Sequence, residues 1–374
     1  MNLIRFLIVL SIYIAFNSYI FIRGWQAIPV GFIAHLVYTI LFLIASLSVF
    51  IAIFLGNRLP AWLSLVFEQT GGYYMILFIF MLAGVMLGDL LRTTDHYFNY
   101  FPEWITSHYP QVKLGYFITV LVMLVIISLI GFSRFTSTRV VEMNIATNSN
   151  SGDSKGMTIV VASDIHLGNV IRKGRLAKWV KLINSQKPDL ILLAGDIFDH
   201  SFRAVVSQQM DKELLKLEAT HGVYAVPGNH DYYTGIDRVL DFLKHADIKV
   251  LRDTAVTIDG RVVIIGRDDM TNKNRKTLDS ILDSLPDGLP VIVLDHQPGT
   301  LAESARHGVD LHISGHTHNG QIFPFNRIVS KIYELGYGYR KSGNTHQYVS
   351  SGLGLWGAPI RLGTYSEIVK IQLQ

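Results

Sequence analysis

Residues 189–199 read DLILLAGDIFD, an apolar run followed at once by a glycine and two aspartates. An uninterrupted apolar run of about four to eight residues that ends at a glycine is typical of a strand buried on both faces of its sheet. The same arrangement occurs on either side, as TIVVAS before Asp164 and as VYAV before Pro227. Open α/β sheets bind their ligands beyond the carboxyl ends of such strands, so these polar residues are candidates for a functional site.

The surrounding sequence alternates short apolar runs with amphipathic stretches, a pattern that predicts an α/β layered domain over residues 157–374. Two of the amphipathic stretches, Lys173–Asn184 and Ala204–Ala219, are predicted to be helices. The predicted strands are Thr158–Ser163, Asp189–Ala194, Gly222–Val226, Val262–Gly266, Val291–Leu294, Asp310–Ser314, Tyr348–Ser351 and Glu367–Leu373.

Five of these strands end in polar residues that metals commonly bind. The residues are Asp164 and His166; Asp196 and Asp199; Asn229, His230 and Asp231; Asp295 and His296; and His316 and His318. Each segment alone has an ordinary explanation, because Asp often caps a helix and Gly-Asn suits a turn. Five together indicate a common site. Oxygen and imidazole ligands without thiolate suit Mn, Fe or Zn.

The five segments resemble the calcineurin-like metallophosphoesterases over about residues 157–374. The motifs that carry the resemblance are Asp164-x-His166, Gly195-Asp196-x-x-Asp199, Gly228-Asn229-His230-Asp231, a strand-end His296 and Gly315-His316-x-His318. The later segments resemble a branch of membrane-associated bacterial phosphohydrolases; they are Ser351-Gly352-Leu353-Gly354, Pro359-Ile360-Arg361-Leu362 and Glu367-Ile368. The resemblance implies a layered β-sandwich flanked by helices.

The resemblance also implies a hydrolase with two divalent metal ions that activate a water for attack on a phosphoester or pyrophosphate bond. In the implied ligand set Asp196 bridges both ions; the first ion has Asp164, His166 and His318, and the second has Asn229, His296 and His316. His230 is implied to protonate or stabilise the leaving oxygen, and Asp199 to orient it. Loop bracing is the alternative role for Asp199 and for Asp231.

The first third of the chain has a different composition from the rest. Residues 1–132 contain five of the 33 Lys and Arg and four of the 29 Asp and Glu. A membrane-spanning helix needs about 20 predominantly apolar residues. Four apolar stretches reach or approach that length: Leu3–Ile22, Pro29–Leu55, Gly72–Leu91 and Leu114–Phe132. We therefore predict an all-α four-helix transmembrane module over 1–132, a linker over 133–156 and the phosphoesterase domain over 157–374. Buried core helices, or a cleaved signal peptide for the first stretch, are the alternatives.

The resemblance implies an integral protein of the bacterial inner (plasma) membrane, and the distribution of positive charge predicts that its catalytic domain is cytoplasmic. The side that carries the amino terminus has Arg5, Arg58, Arg134 and Arg139, against Arg23, Arg92 and Lys113 on the other. The aromatic-rich segment Thr93–Tyr109 is predicted to be an interfacial loop. His35 is isolated in its span, which argues against an ion pathway.

The chain has a net charge of only +4 and no cysteine, so nothing indicates nucleic-acid binding and disulfides are excluded. The predicted partners are a phosphate-containing small-molecule or lipid substrate and the lipid bilayer. The cations Arg172, Lys173, Arg175, Lys178 and Lys181 suit either an anionic headgroup or a solvated helix face. Monoester, diester and pyrophosphate substrates all stay open. The alternative function is an accessory or scaffold phosphoesterase domain on a membrane sensor or transporter.

Overall fold

The computed structural model describes residues 3–147, 156–283, 285 and 288–374. It divides into two compact units, Met1–Ile130 and Gly131–Gln374. The helices that begin in the first unit are α1 Leu3–Ala27, α2 Phe32–Leu55, α3 Ala61–Phe98, α4 Glu103–Ser107 and α5 Tyr109–Thr136. Among the described residues, α1, α2, α3 and α5 are long and apolar enough to cross a membrane. This confirms the prediction of four long apolar helices.

Helix α3 is longer than the apolar run that predicts it. It continues beyond Leu91 to Phe98, so the segment Thr93–Tyr109 is helical at its start and, in α4, near its end. The helix ends at Asn99, which has a left-handed backbone (φ 48°) and donates its amide to Asp95 O at 2.7 Å. The length of an apolar run predicts only the apolar part of such a helix, and the more polar helical turns that continue it are missed.

The described residues of the second unit form two six-stranded sheets, in the orders β1-β12-β2-β3-β4-β5 and β10-β11-β9-β8-β7-β6. The strands of the first sheet are β1 Arg139–Ile145, β2 Thr158–Ala162, β3 Leu190–Ala194, β4 Val223–Val226, β5 Ile248–Val250 and β12 Glu367–Leu373. Those of the second are β6 Thr254–Ile258, β7 Val262–Gly266, β8 Val291–Leu294, β9 Leu311–Ser314, β10 Gly338–Ser342 and β11 Thr345–Val349. The helices are α6 Lys173–Ser185, α7 Phe202–Ser207, α8 Asp211–Leu214, α9 Asn229–Thr234, α10 Ile236–His245, α11 Leu278–Leu282, α12 Leu301–Arg306 and α13 Phe325–Ile332.

The two sheets pack face to face, and helices cover their outer faces. Alternate residues of a strand point to opposite faces, so Val161 of β2 packs in the core between the sheets, which also contains Ile264 of β7. Val160 points the other way and packs in the core that contains Trp179 of α6 and Leu243 of α10. A third core holds β7 and β8 against α11. This arrangement confirms the predicted α/β sandwich flanked by helices.

The predicted linker, 133–156, is wrong over residues 139–145. These residues form β1, which pairs in parallel with β12 from Arg139↔Glu367 to Ile145↔Leu373. The sequence RVVEMNI mixes polar and apolar residues because β1 lies at the edge of its sheet. Residues 148–155 of the predicted linker lie outside the described residues.

A buried histidine in β9 makes the fold sensitive to acid. His312 Nδ1 lies 2.6 Å from Ser304 Oγ, and its Nε2 lies 3.1 Å from Ser314 Oγ. Burial lowers the pKa of His312 to about 4, with Asp295 opposing the shift and Arg267 and Arg275 adding to it. The folded state therefore keeps this imidazole neutral at a pH where the unfolded chain protonates it.

Replacing His312 by glutamine is expected to flatten the acid dependence of stability. Because the pKa of the folded state lies below the ordinary 6.5, wild-type stability falls as the pH drops from 6.5 towards 4. Between these pH values the free energy of unfolding of the wild type is expected to fall faster than that of His312→Gln, by up to about 1.4 kcal/mol per pH unit. Urea unfolding of both full-length chains in detergent, at a series of pH values, measures the difference. Parallel stability curves would contradict the prediction.

Candidate metal centre

The predicted site residues lie at strand ends where the backbone turns sharply. Five of the seven predicted ligands have a left-handed backbone: Asp164 (φ 53°), His166 (52°), Asp196 (50°), His316 (71°) and His318 (50°). Residues other than glycine rarely adopt this region, and such conformations cluster at functional sites. The turns lie after β2, β3 and β9 and direct these side chains to one end of the sandwich.

Two motif glycines allow the strand ends to approach closely. A Cβ on Gly228 would collide with Asp196, whose Cγ would lie 2.8 Å away. A Cβ on Gly195, which itself has φ 81°, would lie 2.6 Å from His296 Nδ1. Glycine at these positions therefore leaves room for the neighbouring site residue.

Replacing Gly228 by alanine is expected to lower the predicted phosphoesterase activity by roughly 10²-fold, because misplacing a reacting group by about 1 Å has that effect. The added methyl would push Asp196 out of position. Gly174→Ala is the matched control, since a Cβ there meets nothing within 4 Å. Hydrolysis of an aryl phosphodiester and bound-metal content are measured for both variants. Equal activity in the two would contradict the steric argument.

One group of predicted ligands consists of Asp164, His166 and His318. Their candidate ligand atoms all lie within 4.8 Å of one another, and all three residues are buried. His166 Nε2 lies 3.1 Å from His318 Nε2, which lies 3.4 Å from Asp164 Oδ1. Two imidazole nitrogens and a carboxylate oxygen therefore face one small space.

A second group contains Asp196, His296 and His316 within the same distance limit. His296 Nε2 lies 3.1 Å from Asp196 Oδ2, and its Nδ1 is held 2.9 Å from Ala194 O, which directs Nε2 towards the site. The same Asp196 Oδ2 lies 3.8 Å from His166 Nε2. Asp196 thus stands between the two groups.

The donor set fits a divalent cation. Asn229 Oδ1 is buried and has no hydrogen-bond partner among the described residues. Leaving such a group unsatisfied costs about 1–3 kcal/mol, which a bound cation would remove. Imidazole, carboxylate and amide oxygen donors together suit metals of borderline hardness. Asp196, His296 and His316 can therefore hold an ion, and Asn229 is a candidate fourth ligand.

Two of the predicted imidazole ligands have the protonation state that metal binding needs, whereas at His296 burial tends to lower the pKa but Asp196 outweighs it and raises the pKa well above its ordinary value. Burial lowers the pKa of His166 to about 4 and that of His318 well below its ordinary value, so both imidazoles are neutral and able to bind metal. Burial tends to raise the pKa of Asp196, but His296 outweighs it and the pKa lies below its ordinary range. Burial raises the pKa of Asp164. A nearby cation would favour ionisation of that carboxyl.

His230 lies beside the metal groups and faces a carboxylate. Its Nδ1 lies 3.4 Å from Asp199 Oδ1, and its backbone amide donates to Asp196 Oδ1 at 2.8 Å. Burial tends to lower the pKa of His230, but the nearby Asp199 carboxylate outweighs it and raises the pKa. This arrangement favours the protonated imidazole and leaves Nε2 free of the Asp199 contact.

His200 is a neighbour of this site that the sequence analysis missed. Its Nδ1 lies 2.8 Å from Asp199 Oδ1, and its ring centroid lies 5.1 Å from that of His230. Asp199 therefore contacts two imidazoles. The sequence offers little to identify His200, because it follows Asp199 of the motif by one residue and belongs to no motif itself.

Asp231 has the geometry of a loop brace. It is fully buried, and its carboxylate accepts hydrogen bonds from the amides of Gly228 at 2.8 Å, Phe198 at 2.9 Å and Ile197 at 3.3 Å. These contacts hold together the two loops that carry Asp196 and His230. The alternative of loop bracing therefore fits Asp231.

The loop 351–354 supports the backbone of Asp164, and Arg361 supports that loop. Arg361 is fully buried and donates to the carbonyls of Ser351 at 2.8 Å and Gly352 at 3.0 Å. The same loop donates the amide of Gly354 to Asp164 O at 2.8 Å. The sequence shows only that these segments resemble the family, and it does not predict that Arg361 supports the loop beside Asp164.

The part of the chain that resembles known proteins contains the site residues. Residues 157–320 match the family model described as calcineurin-like phosphoesterase. A metallophosphoesterase of Aquifex aeolicus is 34% identical over 223 residues, which cover 58% of this chain and 84% of that protein. The chain belongs to the calcineurin-like phosphoesterase family. The family is one of hydrolases that use divalent metal ions.

Other relatives of this chain differ in how much of it they cover. A metallophosphoesterase of Helicobacter pylori is 37% identical over 227 residues, which cover 59% of this chain and only 60% of that protein. A cattle (Bos taurus) protein described as a transmembrane protein with metallophosphoesterase domain is 27% identical over 384 residues, covering 94% of this chain and 80% of its own. The long apolar helices and this relative indicate a membrane protein.

Proposed function

We propose that the chain is a membrane-anchored phosphoesterase that uses two divalent metal ions to hydrolyse a phosphoester or pyrophosphate bond. The observation that carries the proposal is the position of Asp196 Oδ2, 3.1 Å from His296 Nε2 and 3.8 Å from His166 Nε2. One carboxylate oxygen thus stands within reach of ligands from both groups. Asp164, His166 and His318 would hold one ion, and Asn229, His296 and His316 the other.

Mn, Fe or Zn is the metal that this donor set suits. Two such ions would polarise the phosphate oxygens and lower the pKa of the attacking water. The protein supplies the arrangement: neutral imidazoles at His166 and His318, an ionised Asp196, and strand-end loops fixed by Asp231 and Arg361. Such preorganisation removes the cost of orienting groups during the reaction.

His230 is the residue that we propose as the general acid. As the bond from phosphorus to the leaving oxygen breaks, that oxygen takes a proton from Nε2, while Asp199 stabilises the cationic ring through Nδ1. The raised pKa of His230 supports this role, because the acid must be protonated near neutral pH.

We also propose that the substrate is a lipid-linked phosphate and that the domain lies in the cytoplasm, at the bacterial plasma membrane. Only residues 137 and 138 separate α5, a candidate span, from β1 of the phosphoesterase sheet. A substrate that diffuses in the bilayer would thus meet the enzyme at a high local concentration. The excess of Arg on the amino-terminal side of the spans supports the cytoplasmic orientation.

The test uses the full-length chain in detergent with an aryl phosphodiester as substrate. We expect chelation to abolish hydrolysis and Mn²⁺, Fe²⁺ or Zn²⁺ to restore it. A second assay compares detergent-dispersed lipid phosphates with soluble nucleotides. Activity that survives complete metal removal would contradict the metal-dependent mechanism, and a preference for nucleotides would contradict the lipid substrate.

A further inference from the structure

Helix α13 exposes an apolar face beside the metal centre. Phe325, Ile328 and Ile332 follow one another at a spacing of three and four residues, so they share one side of the helix. Their exposed fractions are 38%, 49% and 68%. Exposed Phe323 directly precedes the helix, and within the described part of the chain no residue of α13 is buried. We name Phe323, Phe325, Ile328 and Ile332 the α13 face.

Both ends of α13 contact the segment that carries two predicted metal ligands. At its start, a Cβ on Gly320 would lie 2.8 Å from Phe325 O, so the helix packs closely on that glycine. At its end, the Tyr333 ring centroid lies 6.2 Å from that of His316. Thr317 Oγ1 also donates to Gly336 O at 2.6 Å. The α13 face is therefore held in a fixed place next to His316 and His318.

The polar residues of α13 include two cations and no acid. Arg327 and Lys331 are both exposed and lie one turn apart. The acid that follows the helix, Glu334, is paired with Arg340 at 3.0 Å. Basic residues beside exposed Phe and Ile are typical of helices that lie in the interface of an anionic membrane.

Contacts within the second unit connect the α13 face to the end of α5. Phe323 donates its amide to Leu362 O at 2.7 Å, and the adjacent Arg361 donates its amide to Gly131 O at 3.0 Å. Gly131 belongs to the last turns of α5, itself a candidate span. The short segment 361–362 thus contacts both the start of the α13 face and the carboxyl-terminal part of α5.

Further cations surround the end of α5. The guanidinium carbons of Arg134 and Arg139 lie 5.1 Å and 3.1 Å from the Tyr365 ring centroid. Arg175 of α6 lies 5.0 Å from the centroid of Phe135. Arginines just outside a span bind anionic headgroups.

We propose that the α13 face docks on an anionic lipid bilayer. Its apolar side chains enter the boundary between headgroups and acyl chains, and Arg327 and Lys331 meet the lipid phosphates. Docking holds the metal centre at the depth of the headgroups. Docking on the bilayer does not require hydrolysis, so it can be measured on a protein that turns over no substrate.

The experiment exploits the absence of cysteine from the chain. Single variants Ile328→Cys and Ile332→Cys of the full-length protein are labelled with an environment-sensitive fluorophore and reconstituted into nanodiscs. The discs contain phosphatidylcholine with phosphatidylglycerol and a lipid-borne quencher. Ser330→Cys, on the polar side of α13, and Lys244→Cys, exposed on α10, are the matched controls.

We expect several-fold stronger quenching at positions 328 and 332 than at 330 and 244. Replacing both Arg327 and Lys331 by glutamine, or omitting phosphatidylglycerol, should weaken it. Quenching at 328 and 332 no greater than at 244 would overturn the proposal. So would a blue-shifted label that lipid quencher does not reach, since a protein surface, such as a second copy of the chain, would then cover α13.

Discussion

Replacing Asp196 by asparagine is expected to lower kcat/KM for phosphodiester hydrolysis by about 10³-fold or more, since losing even one preorganised electrostatic contact costs about 10²–10³. Asparagine keeps the shape of the side chain but removes its negative charge. Asp196 Oδ2 lies near both His296 and His166, so both predicted metal positions lose the negative charge that they share. Metal content is expected to fall with activity.

Asp189→Asn is the matched control for this variant. Asp189 directly precedes the opposite end of β3, where its carboxylate accepts a hydrogen bond from the Thr158 amide at 2.8 Å. An asparagine oxygen can still accept that bond, so activity and metal content are expected to stay near wild type. Steady-state kinetics and elemental analysis measure both variants. An Asp196→Asn enzyme with full turnover and two bound metals would refute the bridging role.

Replacing His230 by alanine is expected to leave metal content unchanged and to lower kcat by about 10²–10⁴, the usual contribution of general acid catalysis. His230 Nδ1 faces Asp199, so removal of the ring leaves the leaving oxygen without its proposed proton donor. The loss should be largest for an alkyl leaving group and much smaller for p-nitrophenolate, which leaves without protonation.

The dependence on leaving group separates acid catalysis from a structural role. A misplaced loop would slow alkyl and aryl substrates equally, whereas loss of an acid slows the alkyl substrate more. His221→Ala is the control, because His221 pairs with Asp259 at 2.9 Å and belongs to no site motif. Equal losses for both substrates in His230→Ala would argue that the histidine only supports the loop.

The interior of each sheet could be predicted from the sequence, whereas the edges could not. The four strands that the sequence analysis missed, β1, β5, β6 and β10, are the four edge strands. An interior strand between buried faces, such as β3 with LILLA, is a continuous apolar run. An edge strand such as β10, GYRKS, borders solvent and carries polar residues. It therefore lacks the continuous apolar run by which a strand is predicted.

Helices were predicted less well where a local backbone feature interrupts them. The expected helix Ala204–Ala219 is instead α7 and α8, separated at Gln209, whose backbone is left-handed with φ 52°. Apolar periodicity continues through this break because both short helices bury residues of the same core, including Val205 and Leu214. Periodicity reports which side is buried and does not report whether the helix is continuous.

The candidate site residues could be selected from the sequence because they follow interior strands. The structure brings all seven predicted ligands to strand ends at one end of the sandwich, while their roles stay predictions. The supports were harder to foresee: His200 reaches Asp199 through space, and Arg361 reaches the loop behind Asp164 from the last part of the chain. Such contacts depend on tertiary packing that no local motif encodes.

The left-handed backbone at Asp164, His166, Asp196, His316 and His318 has a consequence for how this domain can evolve. Glycine adopts that conformation without strain, so exchanging one of these residues for glycine relieves the backbone while it removes a predicted ligand. Natural drift towards greater stability therefore leads away from catalysis. A descendant could keep both sheets and a higher melting temperature after its chemistry is gone, and only continued selection for turnover retains these five side chains.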